Sequence, residues 1–326
     1  MNKSIRVGFI YHKDNQFLSG RHYDNTYYHF FMNALKRNSR LDVKYFATEN
    51  EFDASKLKNS VDVVLLYQNN QFGMPNELHG ITELDLPVIA RSTDPKDVPK
   101  SISYHKKWKI NYYFHFHHES FWYETGYPKN FKYKTIIFGV EPKLFQNITS
   151  FSKRIKNKIL NSGNTGSTKL LSRIINKIRD PKWNALTSYY LRTICNQLNY
   201  VDYSHTLNHE YVNDKYPLLL QKYQSAIAAC SYNPVIKFWE IPAAGCLTFM
   251  ETTKKNKADF LGYRDNETAI FINEKNYKEK FEEYLSDTKN PKWEKIAEAG
   301  REYTLSKYTN DHAVESLADL MEKLVR

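Results

Sequence analysis

Ser231-Tyr-Asn-Pro-Val-Ile-Lys-Phe-Trp-Glu240-Ile-Pro-Ala-Ala-Gly245-Cys-Leu-Thr-Phe-Met250 is the stretch on which the fold of this chain turns. An apolar strand, Ser225 to Cys230, runs into it, and its Ser/Asn/Pro cluster predicts a helix start. Asn233 is placed to cap that helix, with Pro234 at the first position, where its missing N–H costs no bond. Lys237 and Glu240 are three residues apart and so project from one face near the positive helix end. Ala243, Ala244 and Gly245 leave room for close approach, and Leu247 to Met250 reads as the next buried strand. A cation, a carboxylate and backbone N–H groups at a strand-to-helix junction suit a ligand with a diphosphate and a ribose. The alternative is a plain amphipathic helix whose lysine and glutamate pair at the surface.

Outward from this segment the same grammar repeats. Ile5–Tyr11, Val43–Phe46, Val61–Tyr67, Val88–Arg91, Lys109–His117 and Thr135–Phe138 read as short strands, with a helix over Tyr27 to Leu35. A second series follows: Ile159–Asn161, Tyr200–Tyr203, Ser225–Cys230, Leu247–Met250 and Ala269–Ile272 as strands, with helices between them and from Asn276 to Arg326. Strands interleaved with helices imply an α/β protein with parallel sheets covered on both faces, and ligands at the C-terminal ends of the strands. At 326 residues the chain suits two domains.

Composition narrows the class. Hydrophobic residues make up 41% of the chain, and no apolar run approaches a membrane span. The N-terminus is expected to open into a strand with no signal peptide ahead of it. Cys195, Cys230 and Cys246 lack metal-site spacing, and their odd number argues against a disulfide framework, so a reducing, cytoplasmic setting is expected. The formal charge of +11 concentrates at Lys153–Lys158, Lys169–Lys182 and His105–Lys134. A solvated surface, an anionic membrane face and anionic substrates all fit that excess, whereas no nucleic-acid module is visible.

The 231–250 segment resembles the nucleotide-sugar-binding signature of the glycosyltransferase group 1 families, and in particular the CgeB-like branch. There a basic residue precedes Glu-x-x-Ala-x-Gly. The resemblance implies the GT-B fold: two doubly wound Rossmann-like domains facing across a cleft, an acceptor domain over 1–149 and a donor domain over 150–326. The last helix is expected to pack back on the first domain. It implies transfer of a sugar from a nucleoside-diphosphate sugar, a UDP-sugar among the candidates, to a hydroxyl of a glycan, lipid-linked or protein acceptor. Retention of configuration comes with the group, and no cofactor is expected. Phe138-Gly-Val-Glu-Pro-Lys-Leu-Phe145 is similar to the family's interdomain hinge.

Carried over residue by residue, Glu240 holds the donor ribose, Lys237 the phosphates, and Gly245 allows tight packing beneath them. Arg192, in Tyr189-Tyr-Leu-Arg192, joins Lys237 in neutralising the leaving diphosphate, unless it is an ordinary helix-surface arginine. With no Asp-x-Asp motif in a plausible loop, metal independence is expected. Gly20, in Ser19-Gly20-Arg21, stands where the family's first glycine loop nears the phosphates, although a Ser-Gly pair is commonly only a turn. Ser162-Gly-Asn-Thr-Gly-Ser-Thr168 nearly matches the flavodoxin phosphate loop, but Gly163 replaces a hydroxyl. Ser162 and Gly163 therefore face donor phosphates in the transferase reading and FMN in a flavodoxin-like one, or line a loop with no ligand.

Two departures from the family pattern matter. Tyr232 stands where the commoner pattern has a second glutamate, and Thr93-Asp94-Pro95 stands where many relatives carry a histidine. Asp94 is then a sugar or acceptor contact. In Tyr113-Phe-His115-Phe-His117-His118-Glu119, His117 or His118 can supply the missing group and handle the acceptor proton, or these rings simply pack. His205 and His209-Glu210 form a polar loop that lacks a third zinc ligand but can reach the base or sugar. Partners expected are the nucleotide sugar, a glycan or lipid-linked acceptor and peripherally an anionic membrane, without nucleic acid. The rival from another class is a non-catalytic binding protein of the same fold, working in surface or coat assembly.

Overall fold

The computed structural model describes residues 4–18, 20–181, 184–205 and 210–326. Ser19 and His209 thus lie outside the described residues. The chain divides into two compact units. The first holds Met1–Ser19, Asp24–Phe138 and the C-terminal Asn310–Arg326; the second holds Gly139–Thr309 together with the short piece Gly20–Tyr23.

Among the described residues, eight strands belong to the first unit: β1 (Ile5–His12), β2 (Leu41–Thr48), β3 (Glu51–Asp53), β4 (Val63–Leu66), β5 (Glu77–His79), β6 (Val88–Arg91), β7 (Tyr112–His115) and β8 (Tyr133–Thr135). Six of them form a sheet in the order β2-β1-β4-β6-β7-β8, and all its pairs are parallel. β3 and β5 pair separately and were not anticipated, since three residues are too few to show a period. Val63 to Leu66 and Val88 to Arg91 are wholly buried, as strands covered on both faces must be. Phe9, Phe30, Phe31, Phe114 and Phe138 make an aromatic core in mutual ring contact. The expected helix over Tyr27 to Leu35 is broken in type: α-helical His22–Tyr28 passes into a π-helical turn, His29–Ala34, which turns Phe30, Phe31 and Ala34 inward. The last helix, Asn310–Val325, belongs to this unit through Arg40, which meets Glu315, Asp319 and Glu322.

The second unit has, among the described residues, five parallel strands: β9 (Ile155–Ser162), β10 (Val201–Ser204), β11 (Tyr223–Ala228), β12 (Leu247–Glu251) and β13 (Ile270–Ile272). Their order is β10-β9-β11-β12-β13. The chain reverses its direction of travel across the sheet at β9, and ligands of doubly wound folds bind at the C-terminal end of such a strand. That end is Ser162-Gly163. Each sheet has the 2-1-3-4-5 type of order, with β1 as the corresponding strand in the first unit. Ile159, Leu191, Ile227, Phe249, Phe281 and Trp293 share one core beneath the second sheet.

The helix after β11 departs from the sequence expectation. It runs Lys237–Ala243, and Asn233 does not cap it. The buried Asn233 side chain instead donates from Nδ2 to the Pro234 carbonyl at 2.9 Å, so Pro234 is not its first residue either. The helix N-cap is Ile236, and no side chain accepts from the first N–H groups.

Candidate active site

Two cations and a carboxylate converge at the end of β9. Gly163 has φ +101°, a conformation that an L side chain rarely adopts. A Cβ there would lie 2.6 Å from both Arg192 Nη1 and Lys237 Cε. Glycine at 163 is therefore what lets two cationic side chains press on one stretch of backbone. Arg192 Nη1 donates to the Ser162 carbonyl at 3.0 Å, and its guanidinium lies 4.1 Å from the Tyr189 ring centroid. It is 2% exposed, which rules out an ordinary surface arginine. Its Nε is buried without a hydrogen-bond partner.

Lys237 is 9% exposed and Glu240 1%, so the surface ion pair is excluded as well. The two residues find different partners. Lys237 Nζ donates to Tyr216 Oη at 2.7 Å and sits over that ring, and Tyr216 Oη in turn shares a 2.7 Å hydrogen bond with Ser162 Oγ. Burial pulls the Lys237 ammonium down to about 7; Glu240 opposes that pull and Arg192 adds to it. Glu240 Oε1 lies 2.6 Å from His22 Nε2, and the His22 ring rests on Tyr216 with centroids 4.3 Å apart. Glu240 Oε2 has no hydrogen-bond partner. An unsatisfied carboxylate oxygen and an unsatisfied guanidinium N–H, both buried, mark polar capacity that a ligand can fill.

Sequence reading missed His22, Tyr216 and Glu251. His22 stands two residues past Gly20 and enters the second unit with Gly20–Tyr23, so the flagged loop contains the right element but the wrong residue. Gly20 itself is exposed, and a Cβ there would meet nothing within 4 Å. Tyr216 begins a short helix, Tyr216–Leu220, and carries no motif. Glu251 closes β12, one residue beyond the strand as predicted; it is buried, its Oε2 lacks a partner, and burial raises its carboxyl to about 7 against the pull of Arg192.

Gly245 follows the helix at φ +70°, where a Cβ would meet Ile148 Cδ1 at 2.8 Å and Arg154 Nη2 at 3.3 Å. Arg154 Nη1 donates to the Gly245 carbonyl at 2.9 Å. Gly245 is thus a packing glycine at the far end of the helix from Lys237. His205 is half-buried at the end of β10, and Glu210 is exposed.

Asp94, His117 and His118 belong to the first unit. Asp94 is exposed just past β6. His117 is buried against His115, with ring centroids 4.3 Å apart, and burial with nearby Arg91 lowers its basicity to about 3. His118 caps the helix Glu119–Glu124: its Nδ1 lies 2.7 Å from Ser120 Oγ and accepts from the Ser120 N–H at 3.2 Å. His115 and His117 do share a face as the strand pattern implied, but it is an interior face.

Comparison with solved structures defines the class. Sucrose-phosphate synthase from Thermosynechococcus elongatus superposes with a TM-score of 0.60 at 10% identity, covering 99% of each chain. Anabaena HepE in complex with UDP-glucose gives 0.59 at 10% identity, over 98% of this chain and all of the other. A glycosyltransferase from Rickettsia africae gives 0.58 at 12% identity over both complete chains. At such identities the likeness is one of fold, and the fold is GT-B. A family described as glycosyl transferase-like matches residues 175–319, the stretch that contains Arg192, Lys237, Glu240 and Glu251. The chain has the GT-B fold, and its residues 175–319 are similar to the glycosyl transferase-like family. No curated protein matches it significantly.

Proposed function

We propose that this chain moves a sugar from a nucleoside-diphosphate sugar to an acceptor hydroxyl. The observation that carries the reading is the seating of Arg192 and Lys237 on the Gly163 backbone at the switch-point strand, with the Glu240 carboxylate on the same helix as Lys237. Two buried cations suit a diphosphate whose negative charge grows as the glycosidic bond breaks. The anomeric carbon–oxygen bond breaks with its electron pair left on the diphosphate, and the acceptor oxygen bonds to that carbon. The acceptor proton passes to an oxygen of the departing diphosphate, and configuration is retained. In this scheme Arg192 and Lys237 act without a divalent metal, and the free Oε2 of Glu240 reads a ribose hydroxyl while His22 fixes Oε1.

The first unit takes the acceptor. Asp94 and His118 are the groups we assign to the acceptor hydroxyl, with His117 kept as a neutral imidazole. HepE was solved with UDP-glucose, which makes UDP-glucose the first donor to try. A cytoplasmic site of action with a glycan, lipid-linked or protein acceptor, in peripheral contact with the inner face of an anionic membrane, completes the proposal. A non-catalytic binding protein of the same fold is the second reading. Its support is Tyr232, which stands in place of a glutamate and carries the Lys255 ammonium 4.1 Å from its ring centroid.

Thermal shift against UDP, GDP, ADP, CMP and FMN, with and without magnesium, followed by donor hydrolysis, separates the readings. Stabilisation by one nucleoside diphosphate independently of magnesium, with slow release of sugar, is expected. Nucleotide binding without turnover under any acceptor supports the scaffold protein, and stabilisation by FMN alone overturns both.

A further inference from the structure

The helix Leu170–Arg179 is amphipathic with its faces inverted. Its five large aliphatic residues, Leu170, Leu171, Ile174, Ile175 and Ile178, are all exposed, Leu171 and Ile178 at 75% and 78%. At about 100° per residue they fall within an arc of about 140°. Ser172 and Asn176 project from the opposite side, and these polar residues are the half-buried ones. A helix that serves its own domain does the reverse, burying the apolar stripe and wetting the polar one. Nothing in the core beneath requires this helix, because none of its residues is buried.

Charge says what the face fits. Arg173 and Lys177 border the apolar arc on one side and Arg179 on the other, with Lys169 just ahead, and all four are exposed. The sole acid between 164 and 184 is Asp180, at the C-terminal end. An aliphatic stripe edged by cations complements an interface in which acyl chains lie beneath anionic headgroups. A second copy of this chain would bring the same four cations against each other. No helix among the described residues is long and apolar enough to cross a membrane, so the contact is one that lies on the surface.

We propose that Leu170–Arg179 is an interfacial helix that docks the second unit on an anionic lipid surface, aliphatic face down. This names the element behind the membrane contact in the function proposed above, yet it stands on the helix alone. Vesicle binding is read without donor or acceptor, so its failure and the failure of the transferase reading are separate results.

The test is co-sedimentation of the full chain with vesicles of phosphatidylcholine alone and of phosphatidylcholine with phosphatidylglycerol. Binding to the anionic vesicles, weakened by salt, is expected. Ile174→Ser with Ile178→Ser should lower it at least about tenfold, and Arg173→Gln with Lys177→Gln about thirtyfold. These positions are exposed, and an unchanged melting temperature verifies that the variants fold. Three results would each overturn the proposal: no binding to anionic vesicles, equal binding by the Ile174/Ile178 variant, or a dimer in solution that the same variant dissolves while vesicle affinity is unchanged.

Discussion

The two units share a parallel sheet of the same strand order but finish the C-terminal strand ends in opposite ways. In the first unit those ends are knitted by neutral amides and hydroxyls. Gln68 Nε2 donates to Thr93 Oγ1 at 2.8 Å, Asn69 Nδ2 to Tyr127 Oη at 2.8 Å, and Asn70 Nδ2 to Ser101 Oγ at 3.2 Å. Arg91, buried there, lies over Tyr27 and Tyr67 and donates to the Tyr67 carbonyl and to Gln68 Oε1. The second unit gathers Arg192, Lys237, Glu240 and Glu251 at the same topological place. Among the described residues, every buried carboxylate or guanidinium atom without a partner is in that unit: Arg192 Nε, Glu240 Oε2, Glu251 Oε2 and Arg301 Nε. The same architecture therefore sets neutral groups at the strand ends of one unit, where Ser92 Oγ and both His115 ring nitrogens lack partners, and unpartnered ionic atoms in the other.

The largest effect that would sharpen this contrast is expected from Gly163→Val. Positive φ and a Cβ seated against Arg192 and Lys237 should together cost about 3 kcal/mol of stability and remove detectable nucleotide binding. Calorimetric melting and titration with UDP measure both. Gly20→Ala, which meets open space, should change neither. Next come Arg192→Ala and Lys237→Ala, each lowering turnover about a hundredfold or more if these cations stabilise the leaving group. Loss confined to KM would reduce them to uniform binding contacts.

Proton linkage offers a test of intermediate size. The Lys237 ammonium is depressed to about 7 in the folded chain, so folding releases its proton between about 7 and its unfolded value of 10.5. Its contribution to stability is present above the unfolded value and is lost as pH falls through 7. Nucleotide affinity runs the other way, because a diphosphate wants the charged amine: affinity should fall as pH rises past 7. Lys237→Met should flatten both dependences. Glu251, raised to about 7, has the opposite sign. Its stability contribution is full below its unfolded value of 4.5 and is lost as pH rises through 7, so Glu251→Gln should stabilise the chain above that pH. A wild-type melting profile unaffected by either substitution would break the picture of strained ionisation in the second unit.

Smaller effects should divide the units cleanly. Gln68→Ala strips partners from Arg91 and Thr93, and should destabilise by about 1–3 kcal/mol while leaving UDP affinity intact. His22→Ala should raise the donor KM several-fold without lowering kcal-scale stability, and His22→Gln, which can still donate to Glu240, should recover part of the loss. Full donor affinity in His22→Ala would mean that Glu240 needs no positioning.

The alternation of apolar strands and helices was enough to read two doubly wound units, and the strand at Val88–Arg91 falls where its apolar run places it. Spacing in Lys237-Phe-Trp-Glu240 was enough to place a cation and a carboxylate on one helix. Local chemistry failed where burial overrode it: Asn233 turned onto its own neighbour, and the histidine-rich strand proved to be interior. Residues 170–179 show the converse. Their helical period is plain in the sequence, and amphipathic periodicity predicts a buried stripe, whereas only the tertiary structure shows that the aliphatic side faces out.

What the sequence determined by itself was the set of local preferences: period, turn chemistry, and which segments hold Gly163, Arg192, Lys237 and Glu240. Tertiary structure alone decided their company. His22 and Tyr216 are 218 and 54 residues away in the chain from the groups they touch, Glu240 and Ser162. No local rule links such positions, because the free energy that joins them comes from the packing of whole elements and not from neighbouring residues.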